Sequence, residues 1–144
     1  MKRILLAAPV LAIAIPAFAG GNPFITAYVS FDGGAEVPRV DPAAYTAGTF
    51  YVCLKNIDAG FTTVSFAIGI DAGVSAPAAY TSLLPGGLAI GDYATGITLS
   101  STGCMVGEFV CLASGSLFYL GVPGTINILD HPDYPRWVVD CNDQ

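Results

Sequence analysis

The residues best suited to chemistry stand together near the end of the chain, in the segment Asp-His-Pro-Asp-Tyr-Pro-Arg-Trp at positions 130–137. The segment contains the sole histidine and the sole tryptophan of the sequence, with two of its eleven acidic residues. Such a set could act as an acid–base site, a metal loop or a recognition turn. We interpret six of its residues as a candidate binding loop, namely Asp130, His131, Asp133, Tyr134, Arg136 and Trp137.

A catalytic set around His131 is incomplete in the sequence. A serine nucleophile would need a Gly-x-Ser-x-Gly elbow, which is absent, and the His131-Pro132 dipeptide favours extended or turn backbone. Glu36 and Glu108, the only glutamates, lie outside the aromatic-rich segments that form sugar clefts. We therefore predict an exposed loop histidine, two surface glutamates, no catalytic residue and a protein that is not an enzyme.

Calcium is the one cofactor that the sequence leaves open. Asp130 and Asp133 are spaced by three on a loop bent by prolines, and calcium binds hard oxygen ligands on loops. However, no Asp-x-Asp-x-Asp-Gly loop is present. We predict no cofactor and no metal site, and we keep Asp130 and Asp133 as candidate calcium ligands.

The first nineteen residues have the pattern of a secretory signal peptide. A positive start (Met1, Lys2 and Arg3) is followed by the apolar run 4–15 and by the small-x-small pattern Ala17-Phe18-Ala19. The run is shorter than the roughly 20 residues that a membrane-spanning helix needs. We expect a signal peptide over 1–19, a secreted domain over 20–144, and a location outside the cell, on its surface or in the periplasm, without integral membrane insertion.

The charge balance excludes nucleic acid as a partner. Beyond residue 19, three basic residues, Arg39, Lys55 and Arg136, face eleven acidic ones. An acidic surface repels phosphate backbones and has no basic patch that could release counterions.

Four cysteines in an exported chain indicate two disulfide bonds. Three pairings are open, and we favour Cys104–Cys111 with Cys53–Cys141. The first pair flanks Gly107, where a turn could bring the two cysteines together. The second pair would tie the last segment to an early strand, and each bond would stabilise the fold by about 2–4 kcal/mol.

Alternation of apolar and polar residues predicts strands throughout the domain. In the segment 61–71, Val64, Phe66, Ile68 and Ile70 alternate with Thr63, Ser65, Ala67 and Gly69. Segments 49–56, 95–101 and 125–129 alternate in the same way, and 24–32, 108–120 (interrupted near Gly115) and 136–141 are further candidates. Turn residues such as Asp58-Ala59-Gly60 separate them. The pattern predicts one all-β domain, an antiparallel β-sandwich of the jelly-roll or immunoglobulin-like kind with about 7–9 short strands.

The segment GTFYVCLKNIDAGFTTVSFAIGIDAGV at 48–74 resembles the early strands of cohesin-type sandwiches. A strand ends there in Lys-Asn, and a short turn leads to an apolar alternating strand that ends in Asp. Segments 83–100 and 109–123 are similar to the later strands of that family. The whole chain also resembles small exported bacterial proteins that end in a Val-Val-Asp-Cys segment. The cohesin resemblance implies a jelly-roll-like fold and non-catalytic binding.

These observations favour a secreted or cell-surface module that binds an extracellular protein or carbohydrate or builds an extracellular assembly. The alternative is a structural subunit of a surface layer or filament that joins through exposed strand edges. A secreted carboxylate-dependent hydrolase is the least favoured class.

Overall fold

The computed structural model of the chain describes residues 22, 24–36, 40, 42–71, 74–75, 79–134 and 138–142. These residues form eight strands and no helix, so none of them belongs to a helix that could cross a membrane. In chain order the strands are β1 (Thr26–Ser30), β2 (Thr46–Ile70), β3 (Val74–Ser75), β4 (Tyr80–Ser82), β5 (Leu88–Asp92), β6 (Gly96–Tyr119), β7 (Ile126–Leu129) and β8 (Val138–Asp140).

Two long strands organise the sandwich. β2 has 25 residues, β6 has 24, and the two pair antiparallel along most of their length. The first part of β2 and the last part of β6 pair with β1, β3 and β4, forming what we call the front layer. The last part of β2 and the first part of β6 pair with β5, β7 and β8, forming the back layer. All of these pairings are antiparallel, as predicted.

The predicted alternation determines the core. Phe50, Val52 and Leu54 of the front layer and Val64, Phe66 and Ile68 of the back layer are buried in one apolar cluster. Rings connect the two layers across this cluster. Tyr80 packs edge-on against Phe50 and stacks on Tyr93 at 4.5 Å, and Tyr93 packs edge-on against Phe66. The prediction of an all-β antiparallel sandwich is confirmed.

The prediction of short strands is wrong for β2 and β6. Residues Asp58-Ala59-Gly60 do not form a turn between strands; they lie within β2, where the register with β6 shifts between Ile57 and Phe61. The expected interruption at Gly115 is also absent, because β6 continues to Tyr119 and the Phe50 ring packs directly against Gly115. A bend inside a continuous strand and a turn between two strands use the same residue types, which is why the local sequence did not distinguish them.

The predicted disulfide pairing is wrong as well. The bonds join Cys53 to Cys111 and Cys104 to Cys141. Residues 104–111 do not turn at Gly107 but continue along β6, and seven steps of extended strand separate two residues by roughly 23 Å. Cys53 instead lies opposite Cys111 in the register of β2 and β6.

The second bond belongs to a junction that closes the bend of β2. A Cβ on Gly60 would lie 2.5 Å from the Cys104 sulfur and 2.9 Å from the Cys141 sulfur, and Gly60 has a φ of 68°. The buried Asn22 side chain accepts a hydrogen bond from the Ala59 amide at 2.8 Å and donates to the Gly60 carbonyl at 2.6 Å. It also donates to the buried Asp140 carboxylate. The start of the described chain, the bend of β2 and the strand β8 therefore meet at one point.

Candidate functional site

His131 is buried, with 8% of its surface exposed, so the prediction of an exposed loop histidine is wrong. Its Nδ1 accepts hydrogen bonds from the backbone amides of Asp133 (3.1 Å) and Tyr134 (3.3 Å). Nδ1 is therefore the acceptor of two backbone amides of its own loop. The side chain thus serves as the acceptor that shapes its own loop.

Gly96, the first residue of β6, explains why this histidine is buried. A Cβ at Gly96 would lie 2.7 Å from Nε2 of His131 and 2.9 Å from Cδ of Pro132. The missing side chain leaves space for the loop 130–134 to lie on the sheet. Gly96 alternates with the core residues Ile97 and Leu99 along β6, so the loop packs on the outer face of the back layer at its Gly96 end.

The other residues of the predicted binding loop lie in different environments. Asp130, Asp133 and Tyr134 are exposed, and the Tyr134 ring lies 5.1 Å from the His131 ring, centroid to centroid. Arg136 and Trp137 lie outside the described residues. Within the described part of the chain, no three His, Cys, Asp or Glu side chains are grouped to hold a metal ion. Calcium binding by Asp130 and Asp133 stays a prediction.

The two glutamates are exposed, as predicted. Glu36 forms an ion pair with Lys55, and this pair lies near Tyr28 on the front layer. Burial and, secondarily, the Glu36 carboxylate raise the pKa of Tyr28, whose hydroxyl donates to the Gly34 carbonyl at 2.7 Å. These contacts fix a surface loop over the sheet and do not combine a nucleophile with a base.

That surface loop, residues 30–36, is organised around Asp32. One carboxylate oxygen accepts hydrogen bonds from the Ser30 hydroxyl (2.8 Å) and from the amides of Gly34 (3.0 Å) and Ala35 (2.9 Å). The Ser30 hydroxyl and these two amides hold the pKa of Asp32 below its ordinary value. The loop covers the Cys53–Cys111 bond, because the Cys111 sulfur lies 3.4 Å from the Gly33 carbonyl oxygen.

From the sequence, β5 was included only within the segment 83–100 and was not identified as an exposed apolar strand. All five residues of β5 are exposed, and Leu88 and Ile90 retain 61% and 59% of their surface. They lie opposite Ser100 and Thr98 in the register of β5 and β6, so they share the outer face of the back layer with these hydroxyl residues. The alternating segment Leu-Ala-Ile-Gly-Asp after Pro-Gly-Gly was the signal that could have identified this strand.

The Leu88–Asp92 strand and the loop 130–134 are neighbours. Asp92, the last residue of β5, lies opposite Gly96, on which His131 packs. The outer face of the back layer therefore combines an apolar edge strand, a central stripe of hydroxyl residues, and a loop that presents Tyr134. Two hydroxyl pairs in the stripe, Thr63–Ser100 at 3.0 Å and Ser65–Thr98 at 2.7 Å, hold β2 to β6.

A concave region lies between β1 and β7, with a volume of about 500 Å³. Its floor contains the partly buried core residues Val29, Phe31, Ile126 and Ile128, and Glu36 stands at its rim.

Fold and surface together define an all-β, antiparallel, disulfide-bonded sandwich with an uncovered edge strand. No protein-family model matches the sequence, and no curated protein matches it. Among solved structures, the fold is similar to a type III cohesin module from the cellulosomal ScaE cell-surface anchoring scaffoldin of Ruminococcus flavefaciens. The likeness has a TM-score of 0.54 at 10% identity and covers 83% of this chain and 74% of that one. The resemblance to cohesin-type sandwiches is thus confirmed at the level of the fold.

Proposed function

We propose that the chain is a secreted, non-catalytic module that binds a protein partner in an extracellular assembly, using the outer face of its back layer. Residues 1–19 serve as its signal peptide and residues 20–144 form the module. The observation that carries the proposal is the exposure of β5, where Leu88 and Ile90 present apolar side chains on an edge strand.

The chemistry of an edge strand favours a protein partner over a carbohydrate. An edge offers a row of backbone N–H and C=O groups, which pair with an extended peptide, and alternate side chains then give specificity. A sugar-binding face relies on exposed aromatic rings, whereas the large exposed side chains of β5 are the aliphatic Leu88 and Ile90. The two disulfide bonds suit an oxidising compartment, and the cohesin neighbour is itself a module of a cell-surface anchoring scaffoldin.

The proposal is tested by capture from the extracellular proteins of the organism that encodes the chain. Immobilised wild-type module is compared with Leu88→Asp/Ile90→Asp, and Val122→Asp serves as the matched control, because Val122 is 51% exposed in a loop. We expect one partner to be retained by the wild type and by the control, and lost with the double variant. Equal retention by all three proteins would contradict docking through β5.

Catalysis is tested separately. A broad panel of glycoside, ester and peptide substrates is offered to the wild type and to Glu108→Ala. We expect no turnover by either protein. Robust turnover that is lost in the variant would overturn the non-catalytic assignment.

A further inference from the structure

We propose that β5 of one copy pairs with β5 of a second copy, antiparallel about a twofold axis at Ala89, and joins two sandwiches edge to edge. This inference rests on the proposed function, because it names the partner of the same strand. It makes the module self-associating and commits the exposed edge to a second copy of this chain.

The first step is that the edge is open. Among the described strands β5 pairs with β6 alone, so its other side presents unpaired backbone groups. Protected edges are short or contain charged residues, proline or a bulge, and the one charge in the five-residue β5 is Asp92 at its end. Lysine, proline and bulges are the strongest of these protections. β5 has none of these three, since its register with β6 runs without a shift from Leu88 to Asp92.

The second step is that the strand is held rigidly at both ends. At its end, the Asp92 carboxylate accepts hydrogen bonds from the Ala94 and Thr95 amides, and Tyr93 is anchored by its stack on Tyr80. At its beginning, the Thr102 hydroxyl donates to the Pro85 carbonyl at 3.2 Å. A partner strand therefore meets a preorganised edge, and little conformational entropy is lost on pairing.

The third step is that the strand is complementary to itself in one register. With Ala89 opposite Ala89 of the second copy, Leu88 lies opposite Ile90 on both sides of the axis. The two copies then present their outer faces on the same side, and four apolar side chains form one cluster. Centring the pair on Ile90 would place Leu88 opposite Asp92, so that an apolar side chain of the interface would face a charged one.

The fourth step concerns charge. The chain contains eleven acidic against five basic residues, so two copies repel each other over most of their surface. The hydroxyl stripe beside β5 is uncharged. In the register centred on Ala89, the two Asp92 residues are six strand positions apart, roughly 20 Å, which is beyond the screening length of about 8 Å at physiological salt.

The size of the contact fixes its expected strength. A five-residue edge buries less surface than the roughly 1,600 Å² of a standard interface. We expect a concentration-dependent dimer with a dissociation constant between about 10 µM and about 1 mM. Such a contact becomes effective where many copies are held close together.

The first experiment is sedimentation of the chain, secreted from an expression host, at physiological salt and at concentrations across that range. We expect the fraction of dimer to increase with concentration. Ile90→Asp should raise the dissociation constant at least about tenfold, and Val122→Asp should leave it unchanged. A wild-type protein that remains monomeric up to 1 mM would overturn the inference. Far-UV circular dichroism of both variants verifies the fold.

The second experiment tests the register. Directly opposed residues of antiparallel strands have Cα atoms about 4.5–5.5 Å apart, a separation that a disulfide bridges. Ala89→Cys is therefore expected to form a covalent dimer when copper phenanthroline and oxygen take up the two electrons and two protons released by the thiols. Val122→Cys is expected to stay monomeric. Equal cross-linking at both positions would mean random collision and would contradict the pairing.

The two proposals fail in different ways. A monomeric protein that still captures a different extracellular protein through β5 would refute self-association and leave the proposed function intact. A β5-linked dimer that captures no other protein would identify the second copy as the partner.

Discussion

The packing of His131 on Gly96 determines how the loop 130–134 lies on the sheet. The histidine is buried because the glycine leaves room for its ring, and its Nδ1 is occupied by two amides of its own loop. A histidine that was considered as a candidate for catalysis therefore has a structural role as a hydrogen-bond acceptor. Its neighbour Tyr134 is exposed and lies against the His131 ring.

Gly96→Ala tests this role. The added methyl group would lie within 3 Å of His131 and Pro132, and Gly96 has a φ of 137°, which side chains other than glycine rarely adopt. We expect a loss of about 1–3 kcal/mol in the free energy of unfolding, measured by urea denaturation. Gly103→Ala is the control, since an added Cβ there meets no atom within 4 Å. Equal stability of the two variants would contradict the packing of the loop on Gly96.

Asp32 gives the protein a defined sensitivity to acid. Its pKa in the folded state lies below the ordinary value of 3.8, because the Ser30 hydroxyl and the Gly34 and Ala35 amides favour the ionised form. The ionised Asp32 carboxylate therefore contributes its full stabilisation of the folded state at any pH above the ordinary pKa. This contribution disappears as the pH falls through the lower pKa of the folded state. We expect Asp32→Asn to be less stable than the wild type at pH 7, and the difference to vanish well below about pH 4.

The measurement for Asp32 is the urea midpoint between pH 7 and pH 2. Asp58→Asn is the control, because Asp58 is an exposed aspartate that lies outside the loop of residues 30–36. A difference between Asp32→Asn and the wild type that persists unchanged at pH 2 would contradict the assigned cause.

At the level of elements, the alternation of residues in segments 49–56 and 95–101 was sufficient to predict which side of these strands is buried. Phe50, Val52 and Leu54 are in the core as expected. The length of β2 was not predictable, because Asp58-Ala59-Gly60 is compatible with a turn and only the contacts of Asn22 and of the second disulfide keep it as a bend. Those contacts join residues that are far apart in sequence, and local pattern does not encode them.

The predicted disulfide pairing was wrong for a similar reason, because it required a turn where the structure has a continuous strand. If the chain turned at Gly107, Cys104 could reach Cys111; since β6 is continuous there, the cysteines bond to residues on other strands.

The candidate site was predicted in part. The loop 130–134 does lie on the surface of the sheet, but the exposure of β5 follows from its place at the edge, which a sequence pattern of five residues does not specify.

Asn22→Ala tests the junction that bends β2. Removal of the amide leaves the Ala59 amide, the Gly60 carbonyl and the buried Asp140 carboxylate without this partner. We expect a loss of about 2–3 kcal/mol in the free energy of unfolding, measured by denaturant titration. Asn142→Ala, at an exposed position next to Cys141, is expected to have no effect. A neutral Asn22→Ala would show that the bend is maintained without the side chain.

For the whole molecule, the two long strands make the layers inseparable. β2 and β6 each contribute to both layers, and the Tyr80–Tyr93 stack crosses between them. One layer cannot lose its central strands while the other keeps them. The sandwich is therefore one cooperative unit in spite of its two layers.

This predicts a single unfolding transition. Near-UV circular dichroism reports the packing of the tyrosine rings between the layers, and far-UV circular dichroism reports the strands. With the disulfides intact, we expect the two signals to disappear at the same urea concentration. Loss of the near-UV signal at a clearly lower concentration would indicate that the layers separate before the strands unfold.

The junction of Asn22, Gly60, Asp140 and the Cys104–Cys141 bond has a mechanical consequence. A pulling force applied between residues 22 and 141 enters and leaves the molecule at nearly the same place. The covalent bond to Cys104 passes the tension directly into the middle of β6. Stretching along this axis would load a short, cross-linked path and leave the far ends of both sheets, β5 included, without tension.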